Sequence, residues 1–192
     1  MNDYFPIFFN LKGKKILIVG AGAIALRRIE ALLPFEPEIV VAAPDCKIEI
    51  EQYRDAGQLT FWQLEYESNL LKKNAVKWSA AKTDTICLET GALTLDSVNP
   101  NGAGRGQAGY FMIIAATNCP ELNRQICDDG RNVGAFVNNA SDKSQCDFYF
   151  PAIVKQGEIV AGVCASGKNH SLVRKVAADM RRWLREYMKQ QR

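Results

Sequence analysis

The segment Gly20-Ala21-Gly22-Ala23-Ile24-Ala25 limits how this chain folds more than any other stretch. Before it stands Lys15-Ile16-Leu17-Ile18-Val19, an apolar run rich in branched side chains that reads as a buried parallel strand. After it, over 23–33, Ile24, Ile29, Leu32 and Leu33 recur at helical spacing while Arg27, Arg28 and Glu30 stand elsewhere. Between a strand and a helix, the first glycine permits a tight turn and the second lets the main chain approach a pyrophosphate. Ala25 supplies the small residue needed where the helix meets the strand. Free N–H groups at the helix start, with the helix dipole, stabilise phosphate charge. The turn alone also fits a tight bend that binds nothing. With the next strand on schedule, dinucleotide binding is the better reading.

The remaining elements follow the same logic. Pro34 closes the first helix. Residues 39–42 read as a second buried strand, 48–56 as a helix stopped by Gly57, and 59–64 as a third strand. This βαβαβ order implies a parallel sheet, because parallel neighbours need a crossover. The fingerprint also asks for an acid about 20 residues on, for the ribose hydroxyls. Asp45 stands there, after Pro44. Either Asp45 binds the ribose, or Ala43 and Pro44 wall the adenine. Arg and Lys are absent from 38–45, which favours NAD over NADP, with Lys47 leaving the choice open.

Regularity breaks over about 72–108. A hairpin around Thr90-Gly91 and the turn-rich stretch 99–106 mark an insertion at a sheet edge or surface. Strand 111–116, helix 120–129 and strand 135–137, ending at Asn138-Asn139, resume the pattern. From Asp147 the style changes. Residues 148–154 and 158–164 read as an antiparallel hairpin, and an apolar stripe from Leu172 to Met188 marks a final amphipathic helix. The expected division is a nucleotide-binding domain over 1–147 and a smaller α+β segment over 148–192.

Composition excludes several classes. With 192 residues, 47% apolar and 23% charged, the chain is an ordinary globular protein of one domain plus an appendage. A net charge of +3 does not point to nucleic acid. No apolar run approaches the ~20 residues a membrane helix needs, and the N-terminus lacks signal-peptide features. The six cysteines form no Cys-x-x-Cys pair and the single histidine is His170, so a structural zinc site is not expected. The thiols fit a reducing cytoplasm.

The motifs together resemble a known family. Asp3-Tyr4-Phe5-Pro6-Ile7-Phe8-Phe9-Asn10-Leu11-Lys12-Gly13 leads directly into the first strand. Later come Ile114-Ala115-Ala116-Thr117-Asn118, Glu121-Leu122-Asn123, Val137-Asn138 and Cys146-Asp147-Phe148-Tyr149-Phe150-Pro151-Ala152. Their order and spacing are similar to the precorrin-2 dehydrogenase family, the dehydrogenase–ferrochelatase module of siroheme synthase. The resemblance implies a Rossmann-type NAD-binding domain followed by a segment through which two chains dimerise. It implies NAD-dependent oxidation of the tetrapyrrole precorrin-2 to sirohydrochlorin, with iron insertion in some members. By the motif match, Gly20, Gly22, Ala23 and Ile24 would hold the pyrophosphate, and Ala43, Pro44 and Asp45 would line the adenosine side. Thr117 and Asn118 would lie near the nicotinamide; they also suit the cap of the helix at Pro120.

Where relatives read Val-Asn-x-Ala-Asp-Asp, this chain reads Val137-Asn138-Asn139-Ala140-Ser141-Asp142. Ser141 takes the place of the aspartate to which acid/base and metal-handling work is ascribed, with Asp142 beside it. A serine is a poor general base and cannot bind metal as an anion, so ferrochelation is expected to be weak. Near the last helix, Asn169 suits a cap and His170 a first-turn position. Lys155, Lys168, Arg174 and Arg131 are candidate partners for the substrate's carboxylates. Two alternatives stay open. One is an NAD-binding sensor or interaction protein without turnover. The other, a different oxidoreductase on this fold, is opposed by the absence of a helical Tyr-x-x-x-Lys pair.

Overall fold

The computed structural model describes residues 5–68, 70–71, 109–165 and 169–190. The insertion and hairpin read over 72–108, and Lys168, lie outside the described residues.

Five strands form one parallel sheet: β1 (Lys15–Val19), β2 (Glu38–Ala43), β3 (Thr60–Gln63), β4 (Met112–Ala115) and β5 (Phe136–Asn139), in the order β3-β2-β1-β4-β5. β1 pairs with β2 from Lys15 opposite Glu38, and with β4 from Ile16 opposite Met112. β1, β2 and β4 are nearly continuous apolar runs because both faces are covered. Leu17, Val19, Val40, Ala42, Ile113, Ala115 and Val137 pack with Ile126 and Cys127. Alternate residues Ile16, Ile18, Val41 and Ile114 point the other way and are equally buried.

Helix α1 (Ala23–Leu32) buries Ala25, Ile29 and Leu32. Pro34 does not stop it directly but sits in a short 3-10 turn, Leu33–Phe35, whose exit residue Glu36 is left-handed at φ 54°. Helix α2 (Ile48–Asp55) ends before Gly57, at φ +69°. Helix α3 (Pro120–Asn132) runs past the end expected at Asp129. Gly130 does not break it, because this face lies tight on the sheet: a Cβ at Gly130 would stand 2.8 Å from Val137 Cγ1 and 3.2 Å from Ile113 Cδ1. The helix stops instead at Gly134, φ +77°, whose N–H donates to Arg131 O at 2.9 Å.

The strand expected over 135–137 is displaced towards its carboxyl end and takes in Asn138 and Asn139, both buried. Asn139 is admitted there because the strand end holds its side chain in hydrogen bonds, Nδ2 donating to Gln145 Oε1 and Oδ1 accepting from Ser141.

Contacts divide the chain into two units, Leu11–Asp147 and a second made of residues 5–10 with 148–190. The division expected from the sequence puts the N-terminal residues with the first unit instead. Residues 5–10 carry no regular structure and pair with no sheet strand. In the second unit, β6 (Ala152–Gln156) and β7 (Ile159–Val163) form an antiparallel hairpin through Gly157 at φ +57°. The first strand starts later than expected, after Pro151, which has no N–H for a ladder. Helix α4 (His170–Gln190) buries Ala177 and Leu184 against Val154. Asn169 caps it, its side chain accepting the Leu172 N–H at 2.9 Å. Leu172, Val176, Trp183 and Tyr187 stay exposed. Among the described residues no helix is long and apolar enough to cross a membrane.

A Gly130→Ala variant should unfold at lower urea, by about 1–3 kcal/mol, because overpacking against Val137 and Ile113 outweighs the ~1 kcal/mol gain in helix propensity. Chemical denaturation followed by circular dichroism checks this.

Candidate functional site

A cleft of about 610 Å³ opens where β1, β2 and β4 end. Parallel sheets place ligands at this edge, because the helices begin there with their free N–H groups. Gly20, Gly22, Ala43, Pro44, Asp45, Thr117 and Asn118 all line it, together with Cys46, Lys47, Glu65, Tyr66 and Leu122. Ala23 and Ile24 are not in its walls; they open α1 immediately beyond Gly22, with Ile24 exposed.

The two glycines act differently. Gly20 is left-handed at φ +101°, and a Cβ there would fall 2.4 Å from the Ala116 carbonyl oxygen. Its N–H donates to Ala42 O at 2.8 Å. The turn is therefore wedged between the ends of β2 and β4. Gly22 is extended, and a Cβ built on it meets no protein atom within 4 Å. What its missing side chain preserves is open space beside the start of α1. That helix start has no side-chain cap and no acid in its first turn, and the Leu26 N–H is the first to bond back, to Gly22 O at 3.0 Å. The N–H groups of Ala23, Ile24 and Ala25 precede that first internal bond and point outward from the helix end. Uncapped donors, an aligned dipole and space at Gly22 fit a pyrophosphate.

The opposite wall is organised by Asn123, which is fully buried on α3. Its Oδ1 accepts from Thr117 N at 3.0 Å and from Thr117 Oγ1 at 2.7 Å. Its Nδ2 donates to Thr117 O and to Ser141 Oγ, each at 3.1 Å. Ser141 Oγ in turn donates to Asn139 Oδ1 at 2.7 Å, and Asn139 Oδ1 also accepts the Ser141 N–H. In the sequence Asn123 stands out only as part of Glu121-Leu122-Asn123. The signal that singles it out is its place at the head of the stripe Asn123, Ile126, Cys127, Gly130, the buried face of α3.

Ser141 thus adjoins the cleft wall through Asn123, although neither Ser141 nor Asp142 lines the cleft. Asp142 has another task. Its carboxylate accepts from Ser144 N at 2.9 Å and Ser144 Oγ at 2.7 Å, capping the short turn Lys143–Gln145. These bonds hold its carboxyl below the usual range. Arg131, in the last turn of α3, is engaged with Asp128, Asp147 and the Gln145 carbonyl, which ties α3 to the loop after β5. Tyr66 donates to Asp129 Oδ2 at 3.0 Å, and burial with this bond raises its hydroxyl well above the ordinary range. Burial pushes the Cys127 thiol up to about 12, as suits a core residue. Among the described residues no cluster of His, Cys, Asp and Glu could hold a metal ion. His170, at the start of α4, is exposed.

The strand order, glycine turn and uncapped helix start define a Rossmann-type dinucleotide-binding protein. A family profile described as "Putative NAD(P)-binding" matches residues 7–152, and the chain belongs to that family. It is homologous to siroheme synthases over most of its length: 28% identical to that of Photorhabdus laumondii over 172 residues, 90% of this chain and 29% of the relative. It is 31% identical over 179 residues to a Ruminiclostridium josui protein named "Probable multifunctional siroheme biosynthesis protein HemA", covering 93% of this chain and 28% of that protein. The chain therefore spans under a third of the length of these relatives. Among solved structures, "SirC, precorrin-2 dehydrogenase" has the same fold, with a TM-score of 0.62 and 22% identity over 92% of this chain and 69% of that one.

The two glycines should separate under substitution. Gly20→Ala should lose more than about 4 kcal/mol or fail to fold, since its methyl meets main-chain atoms in a left-handed turn. Gly22→Ala should keep the wild-type denaturation midpoint but weaken NAD binding by about tenfold or more, ~1.4 kcal/mol. Denaturation and calorimetry on the same samples check both.

Proposed function

We propose that this chain catalyses NAD-dependent dehydrogenation of precorrin-2 to sirohydrochlorin, a step of siroheme biosynthesis. The observation that carries the reading is the glycine cradle at the sheet edge, in a chain homologous over nine-tenths of its length to proteins named siroheme synthase. When bound, NAD supplies a two-electron acceptor: of the two hydrogens leaving the substrate, one goes as hydride to the nicotinamide and the other as a proton to water. In this reading the N–H groups at the start of α1 hold the pyrophosphate, and Gly22 leaves room for it. Ala43 and Pro44 wall the adenosine, and Asp45 takes the ribose hydroxyls, which favours NAD over NADP. Thr117 and Asn118 border the nicotinamide half. The protein's share of catalysis is then chiefly positioning. Ser141 keeps its hydroxyl proton in the bond to Asn139, and Asp142 keeps its carboxylate on Ser144, so neither is assigned proton abstraction.

Mixing the protein with precorrin-2 and NAD should produce reduced nicotinamide, seen by its absorbance. No reduced nicotinamide at saturating NAD would overturn the reading. Iron insertion into sirohydrochlorin should be slow, because Ser141 offers no anionic ligand. A Ser141→Asp variant should speed it, and rapid siroheme formation by the unaltered chain would contradict the argument.

The reading also takes the protein as a cytoplasmic homodimer assembled through its second unit. The exposed apolar row Leu172, Val176, Trp183 and Tyr187 on α4, with Trp183 stacked on Tyr187 at 5.2 Å, supports a second copy as its cover. Lys155 and Arg174 on the same unit are candidates for the substrate's carboxylates. Light scattering should give twice the chain mass, and Trp183→Glu should shift the protein to the monomer.

A further inference from the structure

Thr117 lines the cleft, and each of its polar atoms is already hydrogen-bonded within the protein. Its N–H and hydroxyl go to Asn123 Oδ1, its carbonyl accepts from Asn123 Nδ2, and its hydroxyl also accepts the Cys119 N–H at 3.2 Å. Every one of these bonds but the last ends on one side chain, Asn123, which is inaccessible to solvent. The same amide reaches Ser141 at the end of β5. One carboxamide on α3 thus joins the end of β4 to the loop after β5. The next residue, Asn118, lines the cleft and is exposed, and its side chain makes no hydrogen bond among the described residues.

We propose that Asn123 is a positioning residue for the nicotinamide half of the dinucleotide: by clamping the main chain and hydroxyl of Thr117, it fixes the turn 117–119 so that Asn118 presents its carboxamide to the ligand. This rests on the reading that the cleft takes the dinucleotide. The chemistry suits the task. A primary amide donates and accepts in one plane, so it can hold a peptide N–H and C=O of the same residue at once. A buried amide also loses much if a partner is removed, which keeps the turn in one conformation.

The test compares two ligands that share the adenosine and pyrophosphate but differ in the nicotinamide. Calorimetry measures NAD and ADP-ribose binding to the wild type, Asn123→Ala, Asn123→Asp and Asn118→Ala. The clamp predicts that Asn123→Ala weakens NAD about tenfold while leaving ADP-ribose within about twofold. Asn118→Ala, at an exposed position that folding tolerates, should give the same split. Asn123→Asp keeps the acceptor for Thr117 and should give a smaller split; it also serves if Asn123→Ala does not fold. Equal weakening of both ligands would mark Asn123 as a stability residue only and overturn the proposal. So would unchanged binding of both. A wild type that binds neither ligand would overturn the dinucleotide reading itself, a result distinguishable from these. A kinetic arm adds a second readout: kcat with precorrin-2 should fall more than tenfold in Asn123→Ala at saturating NAD, whereas loss of folded protein alone leaves kcat per folded molecule unchanged.

Discussion

The close approach of Gly20 to the Ala116 carbonyl is the contact on which the site depends. A Cβ there would overlap the end of β4, so the chain leaving β1 can turn only because position 20 has no side chain. With the turn wedged in that gap and hydrogen-bonded to β2, the start of α1 has a single place to be. The cradle, the open space at Gly22 and the row of free N–H groups follow from that one steric constraint.

The opposite wall is fixed by polar rather than steric means. Thr117, Asn123, Ser141 and Asn139 form a chain of hydrogen bonds across three elements, and Asn123 and Asn139 are buried. The cleft thus lies between a backbone contact that tolerates no atom and an amide network that leaves few donors unused. Both arrangements are stiff, which suits a site that works by holding its ligand in one geometry.

Much of this was legible in the sequence. Both-face burial makes parallel strands into continuous apolar runs, so β1, β2 and β4 stand out. The stripe from Leu172 to Met188 declared α4. The glycine turn, with Ala43-Pro44-Asp45 and Thr117-Asn118, marked the residues that line the cleft. What escaped were residues whose role depends on a distant partner. Gly130 looks like a helix end, but its missing side chain answers to Val137 and Ile113 on neighbouring strands. Asn138 and Asn139 look like the point where a strand ends, but the strand runs through them. Asp142 reads in sequence as a candidate for acid/base work, but a serine two residues on occupies its carboxylate. Asn123 hides as a polar residue in a helix, since nothing local reveals that the facing surface is the main chain of Thr117.

The joint at Asn123 is made from uncharged groups. Its amide, the peptide of Thr117 and the two hydroxyls neither gain nor lose a proton over the range in which carboxylates and histidines do. Nor does an attraction between neutral dipoles at bonding distance fade as counter-ions accumulate, as that between separated charges does. Had the same three segments been pinned by an acid and a base, acidification or brine would have loosened them. As built, this seam gives the enclosed surface a shape indifferent to the ionic state of its surroundings.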